Sequence, residues 1–353
     1  MSSVSAPKLE RVEGKMAIYA AAKNLKTFDF SKLSYIGELE IKSKVMTDMS
    51  SFRALTEIGG KLNIEAADLM TSFDGTSLKT IGGQLRIYNN PLLKNINIKG
   101  IQIKDLYIGG TTLPDLNLTG DDIFDGAFSL NVFPSTLATM PTITGFKTVK
   151  SLLLYTGYNY RNNIELKGIE IVKEELHFSS CSNVKIFNLP NLKETGTIKF
   201  TYCNEVRELN LPALEKITSY TKEGTENILG GFNFNVTSNI EKINLSSLKT
   251  VIGDFKVESI DSDATITKID APKLETVSGA FIISGQPNSK FNDLSTFAAL
   301  KSVASVSISK LSGLSSFEGL KGLISTLEST KWTVSDCAYN PTYQDMVDEK
   351  YDL

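Results

Sequence analysis

The residues of this chain best suited to chemistry by type and spacing are aromatic. Tyr88, Tyr107, Phe133 and Tyr155 recur at intervals that match the repeat described below, with Tyr158 and Tyr160 close behind. Rings that arrive once per turn on neighbouring strands lie about 4.8 Å apart, and contiguous exposed rings mark a binding surface. Arg86 precedes Tyr88 by two residues, and aromatic faces with Arg and Asn nearby suit sugar rings or a protein loop. Alternatively, loop residues fold over the rings, which are then packing. The single histidine, His177, lies between Leu176 and Phe178 and should project to the solvent side of its strand. There it either joins a ligand surface or is simply exposed.

Other chemistry finds little footing. Cys181, Cys203 and Cys337 each fall five residues after the first position of a repeating strand pair, the slot held by Asn90 in the clearest copy. They are expected to be small buried thiols that stay unlinked. A metal site would need further ligands that one histidine cannot supply, and no hydroxyl or thiol stands beside His177 as a nucleophile would. Asp115-x-Asn117-x-Thr119-Gly120 opens like a calcium loop, but Gly126 falls where the loop's closing glutamate belongs. Neither a catalytic residue, a metal nor a cofactor is therefore expected.

The elements that must position these residues are repeats. Strand pairs can be aligned at Met16/Ile18, Leu39/Ile41, Leu62/Ile64, Leu85/Ile87, Leu106/Ile108, Leu130/Val132 and Leu152/Leu154. They continue at Leu176/Phe178, Ile198/Phe200, Phe232/Phe234, Phe255/Val257, Phe281/Ile283, Val306/Ile308 and Trp332/Val334. Successive first positions differ by 21 to 26 residues, with one step of 34. Alternation within each pair sends one face inward and one to solvent. Gly-Gly or Ile-Gly before many pairs suggests corners that need positive φ, and a second apolar cluster after each pair suggests an extended back wall. The reading is an all-β-rich repeat solenoid, a leucine-rich-repeat or receptor L-domain-like parallel β-helix of about fourteen coils. It is taken as a single domain over 1–353, with repeats from about 9 to 334, a polar insertion at 218–229 and a C-terminal cap at 335–353.

The Leu-x-x-Ile-Gly-Gly-x-Leu-x-Ile repeat around Leu78–Ile87 resembles receptor L-domain-like leucine-rich repeats. With the closing Asn340-Pro341-Thr342-Tyr343-Gln344-Asp345-Met346 it is similar to secreted surface repeat proteins of Bacteroides-type gut bacteria. The resemblance implies export, often as a lipoprotein, and binding rather than reaction. A non-enzymatic surface protein recognising a glycan or a host or bacterial protein is expected. A structural spacer is the alternative, and a glycan-active enzyme comes third.

Composition agrees with a globular chain. The 37 basic and 40 acidic residues give a net charge of −3 with no basic block, which disfavours nucleic acid. No apolar stretch reaches the roughly 20 residues of a membrane span. A monomer located outside the cell is expected, its export or lipoprotein segment absent from this chain. The repeat starts almost at once, at Leu9, so further upstream residues are expected too.

Overall fold

The computed structural model describes residues 3–20, 27–75, 77–110, 116–132, 140–157, 163–236, 239–262, 264–287 and 289–353. They form a parallel all-β solenoid of about thirteen turns with almost no helix, in two compact units, Met1–Tyr160 and Arg161–Leu353. In the first unit the main strands are Arg11–Ala20, Tyr35–Ser43, Leu62–Glu65, Thr80–Tyr88, Gln102–Gly110, Ile123–Val132 and Thr148–Tyr155. Each pairs in parallel with the next. In the second unit Ile171–Ser179, Glu194–Thr201, Phe232–Val236, Phe255–Ser259, Ala280–Ser284, Ser305–Ser309 and Trp332–Ser335 do the same.

Strand alternation builds the core. Leu39/Ile41, Leu62/Ile64, Leu85/Ile87 and Leu106/Ile108 are at most 1% exposed, so each coil adds an aliphatic layer in register with the last. The second unit uses rings instead. Phe232, Phe255 and Phe281 stack at centroid distances of 5.2 and 5.4 Å, while Phe178 lies 5.0 Å from Phe200. Such pairs add about 0.5–1.5 kcal/mol each beyond area burial. The back wall is extended as expected: Ser72–Asp74, Asn95–Asn97, Asn117–Thr119 and Thr142–Thr144 pair in the first unit. In two coils a single 3-10 turn, Ser50–Phe52 or Ser295–Phe297, replaces the short strand and still buries its phenylalanine.

Two expectations need correction. The strand pair in Ile123–Val132 is Phe128/Leu130, not Leu130/Val132: Phe128 pairs with Leu106 and Leu152, and Leu130 with Ile108 and Leu154. A slip of two keeps strand parity, so alternation alone could not detect it. Positive φ, moreover, serves only some of the glycines before the pairs: Gly231 and Gly253, ahead of Phe232 and Phe255, have φ of 93° and 108°, whereas the first-unit corner glycines do not work through it. Gly37, Gly82 and Gly126 are absent from the positive-φ set. A Cβ on them would instead collide with the carbonyl oxygens of Glu13, Gly59 and Lys104 in the preceding coil. The left-handed corner comes four residues after the first member of the pair, at Ala66, Asn89, Ser180, Tyr202, Lys310 and Asp336, all with φ between 49° and 57°.

In the insertion, Ser219–Thr221 and Ile228–Gly230 form an antiparallel hairpin. At the chain's end Trp332 Nε1 donates to the Pro341 carbonyl at 2.9 Å, and Tyr343 donates to the carbonyls of Ile324 and Leu327. Helix Tyr343–Val347, opened by a Thr342/Asp345 capping box, buries Met346. The acidic tail, though its composition suggests a loose end, is tied down by hydrogen bonds from Phe317 N to Tyr351 O and from Leu353 N to Ser315 O.

Candidate functional site

Register decides which outward side chains meet. In the first unit the outward residue between the inward pair is, coil by coil, Ala17, Glu40, Asn63, Arg86, Tyr107, Ser129 and Leu153. The residue after the pair runs Tyr19, Lys42, Glu65, Tyr88, Gly109, Asn131 and Tyr155. Arg86 is thus flanked on three sides. Its guanidinium donates to Asn63 Oδ1 at 3.1 Å and Glu65 Oε2 at 3.2 Å. It also lies 4.4 Å from the Tyr88 ring centroid and 5.3 Å from that of Tyr107, within cation–π range. The two rings are 6.1 Å apart and tilted by 52°.

Small neighbours make room for Tyr107. A Cβ on Gly109 would sit 3.3 Å from the Tyr107 ring and 2.9 Å from Asn131 Cβ, so glycine lets the ring lie along the sheet. There its hydroxyl accepts a hydrogen bond from Asn131 Nδ2 at 2.7 Å. On the other side of Arg86 a ladder of unlike charges continues: Glu65 meets Lys42 at 3.5 Å, and Lys42 meets Glu40 at 3.5 Å. Lys15 and the Tyr19 hydroxyl also bind Glu40. The Lys15 ammonium first, and then the donated Tyr19 hydroxyl, hold the Glu40 carboxyl at about 2, well below its ordinary 4.5.

Beside this row runs a groove of about 360 Å³ lined by Lys15, Glu38, Glu40, Lys61, Asn63, Gln84 and Arg86 over Leu39 and Leu62. Glu38, Lys61 and Gln84 make no side-chain hydrogen bond or ion pair among the described residues. Sequence reasoning missed these three because isolated polar residues on a solvated strand carry no signal. Only the stacking of three coils makes them one wall.

Of the expected site residues, the structure brings together Arg86, Tyr88 and Tyr107. All three are half-buried. Tyr155 shares a rung with Tyr88, but Gly109 and Asn131 lie between them, so there is no unbroken ladder of rings. The residue following the corrected pair in that coil is Asn131, which takes the place expected for Phe133. Phe133, Tyr158 and Tyr160 lie outside the described residues, as does Asp115 of the calcium-like stretch.

His177 belongs to the second unit. It is only partly exposed, with Nε2 3.0 Å from Thr201 Oγ1 and Nδ1 3.6 Å from Glu175. Burial pushes its pKa below 6.5, against the pull of Glu175 and with the help of Lys199. Tyr220 of the hairpin has its pKa raised by burial and by the charges of Glu175 and Glu174. The hairpin strand Ser219–Thr221 packs against the Ile171–Ser179 strand that carries His177, and the hairpin leaves Ile228 73% exposed.

The cysteines are structural. Asn90 donates to the Ile64 carbonyl and accepts from Ala67 N, stitching its coil to the one before. In the same slot Cys203 Sγ donates to Phe178 O at 3.6 Å. Cys181 and Cys203 are buried and unlinked, and the hydrogen bond from Cys181 lowers the pKa of the Cys203 thiol. The described residues hold no cluster of three or more metal-ligating groups, and none of their helices is long and apolar enough to cross a membrane.

No protein-family model matches the chain, and no solved structure matches it.

Proposed function

We propose that the protein is a non-enzymatic recognition module of the bacterial cell surface, whose first-unit sheet face binds a glycan. The observation that carries the reading is the Arg86–Tyr88–Tyr107 cluster beside unpartnered Glu38, Lys61 and Gln84. Rings supply an apolar platform for the C–H face of a sugar, and the carboxylate, ammonium and amide match its hydroxyls as acceptor and donors. A protein loop rich in polar groups would use the same contacts. These residues offer contact surface rather than a nucleophile with its base, so binding is the function they fit. The surface location rests on the resemblance to secreted repeat proteins. One observation favours the spacer reading: Lys15, Glu40, Lys42, Glu65 and Arg86 already satisfy one another.

A glycan and matrix-protein array supplies the test, followed by titration of the best ligand. Tyr107→Ala and Arg86→Ala should each weaken binding by about 2 kcal/mol, roughly 30-fold, as central ring and Arg contacts do. The unfolding midpoint should hold nearly steady. Unchanged affinity in both variants, or an array without a hit, would leave the spacer.

A further inference from the structure

Two of the three cysteines stand side by side, and their packing role leaves the chemistry of the paired sulfurs unused. Ser179 pairs with Thr201 in the parallel register, and both coils then bend through a left-handed residue, Ser180 at φ 53° and Tyr202 at φ 55°. Cys181 and Cys203 follow these bends. Each thiol donates to the carbonyl two residues before it, Cys181 Sγ to Ser179 O at 3.4 Å and Cys203 Sγ to Thr201 O at 3.5 Å. The side chains are therefore copies of one another, one rung or about 4.8 Å apart. Cys181 also reaches across the rung, where its thiol and its main chain both hydrogen-bond the Cys203 sulfur.

Cys337 shows what the pair adds. It occupies the same slot and donates to the carbonyl two residues before it, Ser335 O at 3.5 Å, but the matching position of the preceding coil is Leu311. Burial pushes the Cys337 thiol up. At Cys203 burial acts in the same sense, yet the hydrogen bond from Cys181 outweighs it and the pKa falls. Adjoining sulfurs thus favour the thiolate, which is the form that binds metals. Cys203 also has a way out to solvent, because it lines an opening of about 250 Å³ together with Phe200, Tyr202, Val206, Phe234 and Ile260. Cys181 lies behind it, fully buried.

A metal held between these sulfurs must be content with two ligands. The described residues offer no group of three or more His, Cys, Asp or Glu side chains, so a tetrahedral zinc site cannot be completed from them. Soft thiolates select Cu(I). With metal–thiolate bonds of about 2.3 Å, a linear sulfur–metal–sulfur bridge spans about 4.6 Å, close to the width of one rung. We propose that Cys181 and Cys203 bind a soft monovalent cation, Cu(I), as a linear two-thiolate site entered past Tyr202 and Ile260. Each sulfur bonds the ion as its proton leaves to solvent and no electron is transferred, so affinity rises with pH. The site lies in the second unit, and the proposal stands whether or not the Arg86 face binds a glycan.

The probe is Cu(I), supplied as its acetonitrile complex under nitrogen and titrated into the full, reduced chain against a chromogenic Cu(I) chelator. One ion should bind per chain. Cys181→Ser and Cys203→Ser should each weaken binding by more than about 100-fold, the upper end of what loss of even an outer partner costs, and Cys337→Ser should leave it unchanged. Serine keeps a donor in the slot, and urea unfolding checks that each variant stays folded. X-ray absorption by the wild-type complex, which needs no variant, should show two sulfur neighbours and nothing else bound to the copper. No copper taken up against the chelator, full affinity in Cys181→Ser or Cys203→Ser, loss of binding in Cys337→Ser, or nitrogen or oxygen bound to the copper would each overturn the proposal.

Discussion

The outward sheet face of the first unit and that of the last coils of the second are made on the same backbone and share almost no chemistry. From Glu40 to Asn131 the first is a run of unlike charges, amides and rings that touch across coils. From Ala280 to Ser335 the second is Ile282, Ser307 and Thr333 beside Ser284, Ser309 and Ser335, with Ser309 donating to Ser284 at 3.1 Å. The inward rows are both apolar, aliphatic in the first and mixed in the second, where Phe281 and Trp332 stand with Ile283, Val306 and Ile308. Outward residues are thus free to vary because the fold asks nothing of them, and chemistry concentrated on one stretch of that face is a clue to use.

That comparison can be broken at its strongest point, where coils touch. Gly82→Val forces a side chain into the Gly59 carbonyl and should cost more than about 3 kcal/mol or prevent folding, as overpacking with backbone displacement does. Urea unfolding measures it, and a loss under about 1 kcal/mol would mean that neighbouring coils separate easily. Next in size, Phe281→Ala removes a ring stacked between Phe255 and the Phe297 edge and should cost about 3–5 kcal/mol. Its outward neighbour Ile282→Ser should stay within about 0.5 kcal/mol. Equal losses would show that the serine-rich face is covered after all.

The smallest expected effect is electrostatic. Glu40 has a folded-state pKa of about 2 against an ordinary 4.5. A depressed carboxylate contributes stability that is complete above the ordinary value and drains away as pH falls through the folded one. Wild-type protein should therefore lose more stability between these two values than Glu40→Gln, whose curve should be flatter there. Chemical unfolding across that window tests it. Parallel curves would show that solvent screens the Lys15 and Tyr19 contacts to nothing.

Much of the fold was legible because a period of strand pairs is a physical signature: Leu85 and Ile87 must face one way and Arg86 the other. Less visible was anything that depended on contact between coils. The slip at Phe128 preserved parity, and the glycines at 37 and 82 read as corners because sequence does not distinguish a left-handed residue from one pressed by a neighbouring carbonyl. The site was half legible for the same reason. Tyr88 and Tyr107 could be assigned to adjacent coils, but only register shows that Tyr107 stands on the rung of Arg86 while Tyr155 stands on that of Tyr88. Glu38, Lys61 and Gln84 had no pattern to betray them.

The left-handed corner at Ala66, Asn89, Ser180, Tyr202, Lys310 and Asp336 has a consequence for how such a chain changes over generations. Where a strand ends at this fixed bend, a length error in the loop beyond it is absorbed before the next strand begins and is not passed on. The hairpin at 219–230 shows this tolerance: the rung it interrupts resumes with Ile198 opposite Phe232. A coil that carries the bend then behaves as a cassette with its own phase reset, and insertions can be tried on that turn without retuning the rest.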